Sequence, residues 1–129
     1  MSMDAQVKSA AAVIVDHFGS GRVAQYFECF APDADFIFYT HTDRIVSRKA
    51  YVELWKTWEN EMGFKVLGCT STNQNVRLMD ENNAIFTHDV ASEIQTNDGT
   101  DTVLERETIV FRFKDAKWVA VHEHLSPRT

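Results

Sequence analysis

The residues able to do acid/base chemistry gather in three stretches: His88 in AIFTHDVASEIQ, Glu107 in ERETIVFRF, and Glu123 in WVAVHEHLSP. A carboxylate held in apolar surroundings has its charged form desolvated, which moves its pKa up toward neutrality, where it can accept or donate a proton. Strand alternation decides which of these groups share a surface, because successive side chains point to opposite faces. From Ala84 to Gln95 the apolar set is Phe86, His88, Val90, Ser92 and Ile94; from Glu105 to Phe113 it is Glu105, Glu107, Ile109, Phe111 and Phe113. From Trp118 to Ser126 the aliphatic set is Val119, Val121, Glu123 and Leu125, with Trp118, Ala120, His122, His124 and Ser126 opposite. Alternation therefore predicts Glu123 and Glu107 on the inner faces of adjacent strands, His88 on the next strand, and Tyr39 or His41 near a mouth. In such a site Glu123 or Glu107 is the base, His88 a proton shuttle or hydrogen-bond donor, and Tyr39 an oxyanion donor. Proton abstraction beside a carbonyl, or a dehydration, suits that set. A purely structural alternative has the glutamates bonded to Arg106, Arg112 or a backbone amide, which perturbs a pKa equally well.

Other chemistries find less support. His122 and His124, two apart on a strand, project to one side, but no third ligand can be named for a zinc site, and no metal is expected. The pair fits better in a seam between two copies of the chain, where a histidine can hydrogen-bond a twofold partner. Neither a G-x-S-x-G elbow nor a Gly-rich phosphate loop occurs. None of the readings requires a cofactor.

The elements that must position these residues follow from periodicity. Val7, Ala10, Ala11, Ile14 and Phe18 recur at helical spacing over Met3 to His17, and Gly19-Ser20-Gly21 ends that run. Arg22 to Phe30 carries a second stripe that breaks at Ala31-Pro32-Asp33, and the aromatic stretch Asp35 to Thr40 reads as a strand. A third helix starts near Ser47 and presents Tyr51, Leu54, Trp55, Trp58 and Met62 on one side. Beyond Gly63 come four strand-like runs, Phe64 to Met79, Ala84 to Thr96, Thr102 to Lys114 and Trp118 to Ser126, separated by Asn-, Asp- and Gly-containing turns. The prediction is an α+β domain: three N-terminal helices on the concave face of a curved, mostly antiparallel sheet. Between the two layers Trp55 and Trp58 from the helix, with Phe86 and Val90, are expected to wall a pocket for a small, partly apolar ligand. Ile109, Phe111, Val121 and Leu125 complete that expected lining.

Length and composition bound the answer. The 129 residues suffice for one domain, taken as 1–129, and 44% hydrophobic with 25% charged residues is the range of a folded globular chain. A net charge of −6 with 13 scattered basic residues argues against a nucleic-acid partner. Cys29 and Cys69 form neither a zinc clip nor a disulfide framework, so a reduced, cytoplasmic setting is expected. The apolar run Ala10 to Val15 is too short for a signal peptide or a membrane span, so no membrane partner is expected.

The order of helices, the aromatic third helix, the segment Asp33 to Tyr39, Glu107-Thr108-Ile109-Val110-Phe111 and the closing W-x-x-x-H-E-H-x-S run together resemble one family over nearly the whole chain. They look like the SnoaL-like and ketosteroid-isomerase-like group of the nuclear transport factor 2 superfamily. The last two strands are also similar to the association domain of calcium/calmodulin-dependent kinase. The resemblance implies a cone-shaped, cystatin-like α+β fold around an internal pocket, and a homodimer packed through the outer sheet face. It does not imply one activity: the group holds isomerases, polyketide cyclases, dehydratases and non-catalytic assembly modules. The aspartate–tyrosine–aspartate set of ketosteroid isomerases is not placed on this chain, and the pocket arginines of the kinase domain give way to Val90, Ile109 and Leu125. Catalysis on a small carbonyl compound and non-catalytic ligand binding or assembly both remain open on these residues.

Overall fold

In the computed structural model, which describes residues 1–128, the Ser2 hydroxyl accepts from the Ala5 amide at 3.1 Å and opens helix α1 (Met3–Gly19). Helix α2 (Val23–Glu28) follows, then strand β1 (Phe30–Phe38). Helix α3 (Arg48–Met62) begins at Ser47, whose hydroxyl accepts from the Ala50 amide, and ends at Gly63 in the left-handed conformation (φ 63°). Strands β2 (Lys65–Leu78), β3 (Asn83–Thr96), β4 (Gly99–Lys114) and β5 (Lys117–Pro127) then form the expected antiparallel meander. Among the described residues no helix is long and apolar enough to cross a membrane.

The sheet order is β1-β5-β4-β3-β2, which makes β4 central and leaves the sheet open with β1 and β2 at its edges. Strand β1 pairs with β5 in parallel, so the first and last strands of the chain are neighbours. It starts five residues earlier than Asp35 and includes Pro32. An edge position tolerates that proline, because the missing amide takes no ladder bond from the sheet. Helix α2 correspondingly stops at Glu28, short of Phe30.

All three helices pack on one face of the sheet, and the core lies between them. Phe30, Phe36, Phe86, Phe111 and Ile109 are fully buried, each contributing on the order of 1.5–3 kcal/mol from apolar burial. Helix α1 ends directly on β2: a Cβ at Gly19 would lie 2.8 Å from the Cys69 backbone nitrogen, so that approach requires glycine. On β3, burial alternates from Ala84 to Ser92 with Phe86, His88, Val90 and Ser92 inward, as the period-two pattern predicts.

Strand β5 departs from strict alternation. Val110 pairs with His122, but the next residue, Phe111, pairs with Ala120, so Val121 is an extra residue on β5. Such a bulge reverses the facing of everything beyond it. Trp118 and Ala120 therefore point into the core with Phe113 and Phe111, and Glu123 and Leu125 point inward after the bulge, opposite Ile109 and Glu107. The expectation that Trp118 and Ala120 lie on an outer seam is corrected accordingly: Ala120 is fully buried, and the Trp118 indole donates to the Gln6 side chain on α1 at 3.1 Å.

Candidate functional site

The helical layer and the inner sheet face enclose a cavity of about 680 Å³. One wall is aromatic because the 3.6-residue repeat of α3 places Tyr51, Trp55 and Trp58 on one side, where they meet Phe18, Tyr26 and Phe64. Ring centroids in this wall are 5.0–6.3 Å apart, in tilted and edge-on arrangements. The opposite wall is the sheet, carrying His88, Val90 and Ser92 from β3, Glu105 and Glu107 from β4, and Glu123 and Leu125 from β5.

Glu123 is 3% exposed, and its Oε1 has no hydrogen-bond partner among the described residues. Burial foremost, then the neighbouring carboxyl groups of Glu107 and Glu105, hold its pKa well above the ordinary carboxylate range. Glu107 is engaged: His88 Nε2 donates to its Oε1 at 2.7 Å. The other ring nitrogen of His88, Nδ1, lies 2.6 Å from the Ser71 hydroxyl, which accepts in turn from the Gln74 side chain at 2.9 Å. The bonds fit together if His88 donates from Nε2 and accepts the Ser71 proton at Nδ1. Phe86 packs beneath the imidazole with ring centroids 4.7 Å apart, which fixes its plane.

Tyr39 sits just beyond β1 at the rim, 45% exposed, and its hydroxyl donates to Glu105 Oε2 at 2.7 Å. Burial first, then that carboxylate, pushes the phenol up to about 12. Burial also raises Glu105, against the lowering effect of the Tyr39 hydrogen bond. Deeper in, the hydroxyls of Tyr26 and Tyr51 are 3.0 Å apart. Both phenols are held well above their ordinary pKa, by burial and then by the Glu123 carboxylate. In such a pair one hydroxyl donates to the other, and the second proton needs another acceptor. The Trp55 indole N–H is also buried without a partner among the described residues. Cys69 lines the cavity from β2, its thiol pushed up to about 11 chiefly by burial.

The structure thus brings Glu123, Glu107, His88, Tyr39, Trp55, Trp58, Val90 and Leu125 to one cavity. Phe86, Ile109 and Phe111 share the inner sheet face but do not line the cavity; they are fully buried in the core against the helices. Val121 does not line the cavity either, because the bulge displaces it from the inner register. Glu105, Ser71, Cys69 and the Tyr26–Tyr51 pair belong to the site without having been singled out from sequence. Glu105 shares the period of Glu107 and was findable; the tyrosine pair joins residues 25 positions apart and was not.

On the outer face, His122 is engaged by Asp35 across the parallel β1–β5 pairing, Nδ1 to Oδ1 at 2.8 Å, and Arg44 holds the other Asp35 oxygen. Among the described residues no group of three His, Cys, Asp or Glu side chains is placed to hold a metal ion.

A family model described as SnoaL-like domain matches residues 7–129. No curated protein matches the chain. Among solved structures, the chain is similar to the CamKII hub homology domain of Chlamydamonas reinhardtii, with a TM-score of 0.77 and 18% identity over 100% of both chains. It is similar to a ketosteroid isomerase-like protein from Erwinia carotovora atroseptica, with a TM-score of 0.80 and 12% identity over 97% of this chain and 95% of that one. A protein from Catenulispora acidiphila in complex with S-DNPA matches with a TM-score of 0.76 and 14% identity, covering 94% and 90% of the two chains. At these identities the likeness establishes the fold.

Proposed function

The chain belongs to the SnoaL-like domain family, and from that premise we propose that its cavity takes up a small, partly apolar carbonyl compound and transfers a proton on it, as an isomerase, cyclase or dehydratase does. The observation that carries this reading is Glu123, a carboxyl group buried on the cavity wall with an oxygen that none of the described residues satisfies. A buried polar atom left without a partner costs about 1–3 kcal/mol, and a bound molecule would supply the missing bond. Its pKa, raised foremost by burial, favours the protonated, proton-donating form more than in an ordinary glutamate and makes the carboxylate, once formed, a stronger base. Glu107 and His88 form the adjoining relay, with Ser71 and Gln74 fixing the imidazole from β2. The role of oxyanion donor passes from Tyr39, whose proton is committed to Glu105, to the spare hydroxyl of the Tyr26–Tyr51 pair. The reaction is read out by proton exchange at the α-carbon of small aryl ketones in D2O, followed by NMR. Wild-type protein should accelerate exchange, and Glu123→Gln should lower the rate by about 10²–10⁴-fold while ketone affinity changes little. Equal exchange by the two proteins would remove Glu123 from the chemistry.

A second reading, a non-catalytic binding module, is favoured by one feature: both ring nitrogens of His88 are already bonded, which locks rather than frees a shuttle. Binding of the same ketones with no exchange above the buffer rate would select it. Either reading uses the chain as a homodimer packed through the outer face of the sheet.

A further inference from the structure

We propose that the carbonyl compound taken up by this cavity also carries a positive charge, an ammonium group on an apolar or aromatic body; this deepens the preceding reading and rests on the cavity being a ligand site. The lining includes four glutamates, Glu61, Glu105, Glu107 and Glu123, and no lysine or arginine. The chain does not lack cations, with 13 Lys and Arg residues, but it spends them elsewhere. Arg106 and Arg128 flank Asp89, Arg44 holds Asp35, Arg22 holds Asp16 and Lys8 reaches Asp4, none of these acids on the cavity wall. Of the inner carboxyls, Glu107 has only the His88 imidazole and Glu105 only the Tyr39 hydroxyl, while Glu123 Oε1 has nothing.

Acidic residues close together do not by themselves make a site; here the unsatisfied, 97%-buried Glu123 and the wall facing it point the same way. That facing wall is built of Tyr26, Tyr51, Trp55 and Trp58, with Phe18 and Phe64 beside them. Aromatic faces attract ammonium groups, most strongly when the site is dry, and tryptophan is the best of them. An ammonium between the rings and the carboxyls would relieve the mutual repulsion of Glu105, Glu107 and Glu123 and supply the missing donor to Oε1. A carboxylate or phosphate ligand would meet the three inner acids, Glu105, Glu107 and Glu123, with no guanidinium or ammonium of the described lining to neutralise it, which a low-dielectric cavity penalises heavily. A volume of about 680 Å³ lies within the usual range of small-molecule sites.

Three probes of closely similar shape separate the possibilities: 2-phenylethylammonium, 2-phenylethanol and 3-phenylpropanoate, titrated calorimetrically into the full chain at neutral pH. The ammonium should bind at least tenfold more tightly than the alcohol, and the carboxylate should show no saturable binding. Glu105→Gln and Glu107→Gln should each weaken the ammonium severalfold and leave the alcohol unchanged. Glu105, nearer the rim, keeps the test valid should loss of the Glu107–His88 bond unsettle the fold, which circular dichroism would report. Alcohol binding as tight as that of the ammonium, or saturable carboxylate binding, overturns the charge assignment and leaves the cavity reading standing. Absence of saturable binding by all three overturns both.

Discussion

Glu123 sets the residue-scale behaviour of the protein. Its folded-state pKa lies above the ordinary value of 4.5, so the protonated form is the one compatible with the fold. That contribution to stability is complete below about pH 4.5 and is lost as the pH climbs through the folded-state value, because the unfolded chain ionises first. Glu105, shifted in the same direction, adds to the slope. Glu123→Gln keeps the shape and removes the charge, so its melting temperature should match wild type near pH 4.5 and exceed it increasingly toward pH 8. Thermal unfolding across that range checks this, and parallel curves would contradict a buried, uncompensated carboxyl. Cys69 provides an independent probe of the same dry wall. With its thiol pushed up to about 11 from 9.0, the reactive thiolate is about a hundredfold scarcer than for an ordinary cysteine, before steric protection is counted. Labelling by an aromatic disulfide at pH 8 should therefore be slow in native protein and fast in urea. Mass spectrometry of the peptide carrying Cys69 distinguishes it from Cys29.

At the scale of elements, α3 holds the aromatic wall and Gly63 holds α3. The residue combines a left-handed φ of 63° with a Cβ position only 2.4 Å from the Asn97 side-chain oxygen, while the Asn97 amide donates to the Met62 carbonyl at 2.7 Å. Gly63→Ala should cost about 1–2 kcal/mol, since the left-handed conformation alone is disfavoured by that amount with a Cβ, lowering the midpoint of urea unfolding without changing its slope. The boundaries of α3 were legible in the sequence because its cap and stop are local, Ser47 and Gly63 bracketing it as expected, whereas the end of α2 was not, since Phe30 is claimed by β1. The faces of β3 and β4 were legible for the same reason, a period of two uninterrupted over the whole run. Strand β5 was not, because the bulge at Val121 is decided by its partner. The ladder with β4 continues on both sides only if one residue is left out of it, and the aliphatic side chain of Val121 gives no hint that it is the one.

For the molecule as a whole, the outer sheet face is the surface through which two copies are proposed to pair. Thr108 lies on it in the central strand, opposite Thr87 on one side and His124 on the other. If two copies pack through this face, sedimentation equilibrium will give twice the chain mass of 14.8 kDa, and Thr108→Arg, which buries like charges across a twofold axis, will return the monomer. A monomeric wild type would instead leave that face free in solution. Such a result would bear on assembly alone, since the described lining of the cavity comes from one chain.

By itself the sequence determined the helices, the meander, the aromatic side of α3 and the inward set of β3 and β4, because these depend on short-range periodicity and on caps only a few residues long. It also determined that Glu107 and Glu123 would face inward with apolar residues, since each shares the alternation set of an apolar neighbour two positions away, Ile109 and Leu125. Tertiary structure alone decided the parallel docking of β1 on β5, the bulge that turns Trp118 and Ala120 into the core, and the pairing of Tyr26 with Tyr51. Above all it decided that no lysine or arginine of the described residues lines the cavity and that Glu123 Oε1 has no partner among them. Those outcomes depend on which distant residues share a volume, and no local period encodes that.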